Sequence, residues 1–191
     1  MTAMKSIGAA LGLLAFVLLP TDGAKAAPEG GTTFGDKPIF QSASNFQYSL
    51  SDDKKAFTIT FNPAFEASVG NSATDTALVG TNVFSVAIPV NGKEVNSTFI
   101  LTASVNAEEG AGGLLMLSVN DQQTVTRFKK NKGEKELLVK LKYRAKGVGD
   151  IRLTVFLLAD RDAAHPKAAA LIHVTSIDTD LALAKKKQNT K

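Results

Sequence analysis

From Phe46 onward, apolar and polar residues alternate with the two-residue period of a β-strand, whose successive side chains point to opposite faces. Phe46, Tyr48 and Leu50 share one face. Phe57, Ile59 and Phe61 share the next, with Thr58 and Thr60 turned outward. Residues 51–55 are polar and make the turn, so the two segments predict a hairpin. Pro63 should stop the second strand, because it has no N–H to donate to a ladder. Residues 65–69 then read as a separate short strand or bend before a loop. Further inward rows follow at Phe84, Val86, Ile88 and Val90, and at Phe99, Leu101, Ala103 and Val105. Asn91-Gly92 between them predicts a tight hairpin turn, since a primed turn needs positive φ at both central residues. Leu115, Leu117 and Val119 predict another strand, and residues 124–128 the next. Leu137, Val139, Leu141 and Tyr143 make a further row. Residues 151–158 are apolar on both faces and predict a buried central strand. Residues 170–177 predict the last one.

No run of ten residues carries a helical period; the best helix candidate, 162–171, is held to one or two turns by Pro166. Eight or nine strands with tight turns predict an all-β fold, an antiparallel β-sandwich of immunoglobulin-like or jelly-roll topology. The 11 Phe can fill such a core without polar partners.

The N-terminus has a different pattern. Lys5 precedes an uncharged apolar run over 7–19, closed by Pro20, and Ala24-Lys25-Ala26 fits a small-x-small cleavage rule. Residues 1–26 therefore read as a signal peptide, cut before Ala27. The apolar run is shorter than the ~20 residues a membrane span needs, and no later run approaches that length. Residues 27–45 read as an irregular lead-in with a short strand near Ile39, 46–184 as the β-sandwich domain, and 185–191 as a disordered basic tail. The expected address is secreted, either periplasmic or extracellular.

The chain has no Cys and only His165 and His173, which excludes thiolate chemistry and leaves little imidazole chemistry. Gly110, Ala111, Gly112 and Gly113 suggest a phosphate loop, but no Lys-Ser or Lys-Thr follows, so they read as a strand connection. His173, Ser176 and Asp178 supply triad residue types. On a regular strand His173 and Ser176 point to opposite faces and cannot meet without a bulge. The sequence FQYSLSDDKKAFTITF at 46–61, followed by FEASVG at 65–70, resembles the start of small secreted bacterial proteins of unknown function. That resemblance implies export and an all-β body, and it transfers no functional residue.

Charge is uneven. Residues 127–146 hold nine Lys and Arg against Glu134 and Glu136, a local +7. Within it, Lys140, Lys142, Arg144 and Lys146 fall on one face of one strand. With Lys129, Lys130 and Lys132 they are the candidate polyanion-binding residues. The competing reading is a solvated edge whose lysines deter strand addition. Asp160, Asp162 and His165 are a candidate divalent-metal set on one loop, against the alternative of a capped turn. The expected function is an exported, non-enzymatic β-sandwich binding or structural module of the bacterial envelope or exterior, with no cofactor. The partner would be a protein or an acidic polysaccharide, with no nucleic acid, since surface aromatics for base stacking are lacking. The first alternative is an envelope polyanion binder using the basic strand. The second is a metal-assisted or two-carboxylate hydrolase, which would need a cleft with convergent acids.

Overall fold

The computed structural model describes residues 31–41, 45–72, 74–131 and 133–181, within one compact unit, Gly31–Lys191. The expected signal peptide, the tail 185–191 and Lys132 lie outside the described residues, as do the side chains of Asp180 and Leu181. The described residues form eleven strands: β1 (Thr33–Phe34), β2 (Ile39–Phe40), β3 (Phe46–Leu50), β4 (Ala56–Val69), β5 (Val79–Asn91), β6 (Glu94–Ala107), β7 (Ala111–Val119), β8 (Gln122–Lys129), β9 (Lys135–Lys146), β10 (Asp150–Arg161) and β11 (Ala170–Leu181). The described residues contain no helix; 162–169 makes turns only.

The pairing is that of a rolled hairpin. β4 pairs with β11, β5 with β10, β6 with β9 and β7 with β8, all antiparallel. First meets last, second meets second-last, and so inward. Eight strands paired this way and folded into two sheets make a jelly-roll, which decides between the two topologies left open above. The sheets are completed where β11 also pairs β6 and β10 also pairs β7. One sheet runs β3-β4-β11-β6-β9; the other runs β1-β5-β10-β7-β8, with β2 also on β5.

The β3–β4 hairpin forms as expected, with Phe46 opposite Phe61 and Leu50 opposite Phe57. Pro63 does not stop β4. The strand continues to Val69, and the pairing with β11 shifts register there, from Val174 opposite Phe65 to Ser176 opposite Thr60. Proline's missing donor is tolerated because that stretch of ladder is irregular. Asn91-Gly92 is not a hairpin turn. Asn91 pairs with Thr33 on β1, and Gly92, at φ +147°, carries the chain from one sheet into the other. A Cβ on Gly92 would lie within 2.8 Å of three Thr32 atoms, so the crossing needs glycine for space as well as conformation. Strand β1 is an addition to the sequence-based reading of the lead-in; its Phe34 is fully buried, edge-on to Phe57 at 4.9 Å.

The inward rows meet in one core. Phe84 from one sheet stands edge-on to Phe61 of the other at 4.9 Å, with Phe65 and Phe46 also in reach. Such pairs add ~0.5–1.5 kcal/mol each beyond area burial. Connections gather at two ends. Those at 70–78, 108–110, 130–134 and 162–169 share one end, and tight turns at 51–55, 92–93, 120–121 and 147–149 share the other.

Candidate functional site: a basic face on an edge strand

Strand β9 is the last in its sheet. Its odd-numbered side chains Val139, Leu141 and Tyr143 are buried and fix the strand on the core. Asn120 Nδ2 donates to the Tyr143 hydroxyl at 2.6 Å, and the Tyr143 ring stands edge-on to Phe99 at 6.3 Å. With that face anchored, period two turns Lys140, Lys142, Arg144 and Lys146 to solvent, and all four are exposed. At ~3.4 Å per residue the row runs ~20 Å.

The neighbouring row comes from β6. Ile100 stands opposite Lys140, Thr98 opposite Lys142, Asn96 opposite Arg144 and Glu94 opposite Lys146. Arg144 Nε donates to Glu94 Oε1 at 2.7 Å. That hydrogen bond, with the charges of Arg144 and Lys146, holds the Glu94 carboxyl below its ordinary range. The far end of the row thus has a counter-acid. Lys140 and Lys142 make no ion pair among the described side chains. By register Asp178 lies level with Lys140 and Asp180 level with Lys142, but each is two strands away, on β11. Asp178 is already engaged, accepting from Thr58 Oγ1 at 2.7 Å and Ser176 Oγ at 2.9 Å.

The other predicted cations are elsewhere. Lys129 ends β8, in the opposite sheet, and Lys130 is bound to Glu109 at 2.6 Å. Between β8 and β9 the chain changes sheets, so charges that are neighbours in sequence face different surfaces. Lys129 and Lys130 instead line a cleft of about 510 Å³ at the long-loop end, with Glu109, Arg127, Asp160 and Asp162 among its walls. Lys130 holds the Glu109 carboxyl low and ionised, the wrong direction for a general acid. Asp162 closes its own turn: its Oδ1 accepts from Ala164 N at 3.0 Å and its backbone carbonyl from His165 N at 2.9 Å. His165 Nδ1 lies 3.9 Å from Asp162 Oδ2. Its ring stands where a Cβ on Gly110 would be, so Gly110 serves close packing and not a phosphate cradle. No three His, Asp or Glu side chains converge as a metal site among the described residues.

The same end carries a clamp that the sequence did not single out. Arg161, its side chain 2% exposed, donates to the Asp75 carbonyl at 2.7 Å and lies 3.8 Å from the Asp75 carboxylate. Its Nη1 reaches the Ala168 carbonyl at 3.5 Å. One guanidinium therefore ties loop 70–78 to loop 162–169.

The irregularity in β11 corrects the strand geometry assumed for His173 and Ser176. The register shift after Val174 brings Ser176 round to the His173 face, where Asp178 also lies. Even so, Ser176 donates to Asp178, and His173 Nδ1 sits 3.1 Å from Glu66, so no triad is wired.

No protein-family model matches the chain, and no curated protein matches it. Nothing found corresponds to the secreted proteins that residues 46–70 resemble. Among solved structures, the chain is similar to TmCBM61 in complex with β-1,4-galactotriose, at 14% identity over 70% of this chain and 86% of that one, with a TM-score of 0.28. It is similar to the Stig cyclase Fisc from Fischerella sp. TAU, at 10% identity over 77% of this chain and 100% of that one, with a TM-score of 0.33. A family 29 carbohydrate-binding module follows at 12% identity over 78% and 88%, with a TM-score of 0.24.

Proposed function

We propose that this protein is a non-enzymatic binding module, exported to the bacterial envelope or exterior, that holds an acidic polysaccharide against the outer face of β9. The observation that carries the reading is the row Lys140, Lys142, Arg144 and Lys146, with one close counter-acid, Glu94, among the described side chains. Edge protection explains a lysine or two on β9. It does not explain four cations in register ~7 Å apart, which repel one another in the free protein. A polymer with an anion at a similar repeat would relieve that repulsion and release its own counterions, much as nucleic acids do. Asn96 and Thr98 beside the row supply neutral hydrogen-bonding groups for sugar hydroxyls. The signal-peptide pattern at 1–26 supports export.

The test is retention of residues 27–191 on a sulfated-polysaccharide column across a salt gradient. Beside it run a Lys140→Glu, Lys142→Glu, Arg144→Glu variant, a Lys129→Glu, Lys130→Glu variant and a truncation after Ala184. The expected result is elution above physiological salt for the parent, early elution for the β9 variant, and little change for the loop variant. Early elution of the parent sinks the proposal. So does a loss of retention seen only in the truncation, which would make the tail a generic cation exchanger.

A further inference from the structure

The outer face of the other sheet is not solvated in the usual way. Antiparallel sandwiches alternate apolar-in with polar-out, and β6 follows that rule with Asn96, Thr98, Thr102 and Ser104, broken at Ile100. On the β5-β10-β7-β8 sheet, register aligns outward side chains into apolar rungs. Val83, Phe156, Met116 and Val125 form one rung across four strands. Leu158 and Leu114 lie in the rung above, flanked by Thr81 and Arg127, and the rung below is polar, with Ser85, Thr154, Ser118 and Gln123. Val83 and Val125 are each 48% exposed, and Phe156, Met116, Leu158 and Leu114 are half-buried by their neighbours. A band of this kind marks an interaction surface.

Its charged rim says what covers it. Four residues above Phe156 on β10 is Asp160, and four residues below is Arg152. Four residues above Val125 is Lys129, at the end of β8, and four below is Asp121, in the β7–β8 turn. All four are exposed. The signs are opposite on the two strands: acid above base on β10, base above acid on β8. A two-fold axis along the Val83–Val125 rung swaps above for below and keeps each strand over its own copy. It therefore sets Asp160 over Arg152 of a second molecule and Lys129 over Asp121, with each contact made twice. On the axis rung each apolar residue meets its own copy, while Leu158 and Leu114 meet Thr154 and Ser118.

We propose that this face is the interface of a two-fold symmetric dimer of the chain, with that rung on the axis. The arrangement is isologous and closed, so it yields a dimer and not a fibre. The face projects to roughly 500 Å² for four strands ~4.8 Å apart over eight residue steps. That is smaller than the ~800 Å² of accessible surface per partner in standard complexes. The dimer is accordingly a weak one, to be sought at protein concentrations up to ~500 μM.

The experiment is sedimentation velocity on residues 27–191, which contain the compact unit, with no polymer added. Its outcome is therefore independent of the polysaccharide reading. The parent should pass from monomer to dimer with concentration. Val83→Gln with Val125→Gln should weaken association about tenfold or more with unchanged circular dichroism. Asp160→Arg alone and Arg152→Asp alone should each weaken it, because each sets like charges together twice. Mixed in equal amounts, those two single variants should recover parental association, since the heterodimer restores both pairs. A parent that stays monomeric at ~500 μM overturns the proposal. So do a dimer indifferent to the valine changes, and a mixture that associates no better than its components.

Discussion

Reversing one charge in the middle of the β9 row should make the protein more stable and a poorer binder. Lys142 has Lys140 and Arg144 on either side of it on the same face, each ~7 Å away. At the dielectric of water each repels it by ~0.6 kcal/mol. Asp178, two strand spacings across and two residues along, ~12 Å away by register, attracts it by ~0.35 kcal/mol, and the more distant Lys146 and Glu94 nearly cancel. The net cost of the Lys142 charge is ~0.8 kcal/mol, so Lys142→Glu should gain ~1.6 kcal/mol before screening. A Debye length of ~30 Å in 10 mM salt leaves ~1.4 kcal/mol, and one of ~8 Å in 150 mM salt leaves ~0.8 kcal/mol. Urea melts at the two salt concentrations measure both values, and the same preparations run on the polysaccharide column. Stability rising while retention falls is the signature of charges kept for binding at a cost to the fold. If Lys142→Glu melts earlier than the parent, or if it melts later with retention unchanged, the row is not an unpaired anion site and the reasoning fails.

Three further outcomes follow from the fold. Arg161→Met removes the clamp between loops 70–78 and 162–169 and leaves the Asp75 and Ala168 carbonyls without their guanidinium donor; a loss of ~2 kcal/mol is expected by chemical denaturation. Asp75 is held below the ordinary carboxylate range by the N–H groups of Ala77 and Gly70, and by Arg161. Its folded pKa lies under its unfolded one, so its contribution is full above the ordinary range and is lost as pH falls through the depressed value. Asp75→Asn should therefore lower stability at neutral pH and flatten the parent's decline on acidification below pH ~4, read from urea midpoints at each pH. Gly80→Ala would put a Cβ 2.1 Å from the Ser68 carbonyl oxygen, in backbone that cannot rotate away. It should cost ~2–3 kcal/mol, and a thermal melt indistinguishable from the parent's would contradict the close approach of β4 and β5 there.

What the chain announces locally, it announces well. The Phe57, Ile59, Phe61 row and the Lys140 to Lys146 row are both period-two patterns, and both lie where alternation puts them. Misreadings arise where a distant partner decides. Pro63 reads as a stop because proline breaks a regular ladder, yet its ladder is already irregular opposite Val174 and Ser176. Asn91-Gly92 reads as a hairpin because nothing local reveals that Asn91 pairs with Thr33. Lys129 and Lys130 join the basic row in sequence and leave it in space, because the chain switches sheets between β8 and β9. The apolar outer band is the extreme case. Its members come from β5, β7, β8 and β10, and only register aligns them. One trace of it was legible: in the run 151–158 that predicted a buried central strand, the outward positions Phe156 and Leu158 are apolar as well as the inward ones. That signal does mark a central strand, but the second apolar face is half-exposed and lies against no third layer among the described residues.

The two surfaces together set a geometry that can be tested. Joining two copies through their β5-β10-β7-β8 faces stacks four sheets, with a β9 row on each outermost surface. Three inter-sheet spacings of ~10 Å put those rows ~30 Å apart and pointing away from each other. Two sites so directed cannot share one extended chain, so dimerisation gives little avidity on a single polymer. It gives bridging instead. Mixing the parent with long sulfated polysaccharide should raise light scattering near charge equivalence. Short oligosaccharides should not, and salt should reverse the effect. The Val83→Gln with Val125→Gln variant keeps its β9 row, so it should elute from the column where the parent does and yet fail to scatter. Scattering by that variant would mean that bridging does not run through the apolar face. Loss of its column retention would mean that the two surfaces are not independent, and the four-layer arrangement would fall.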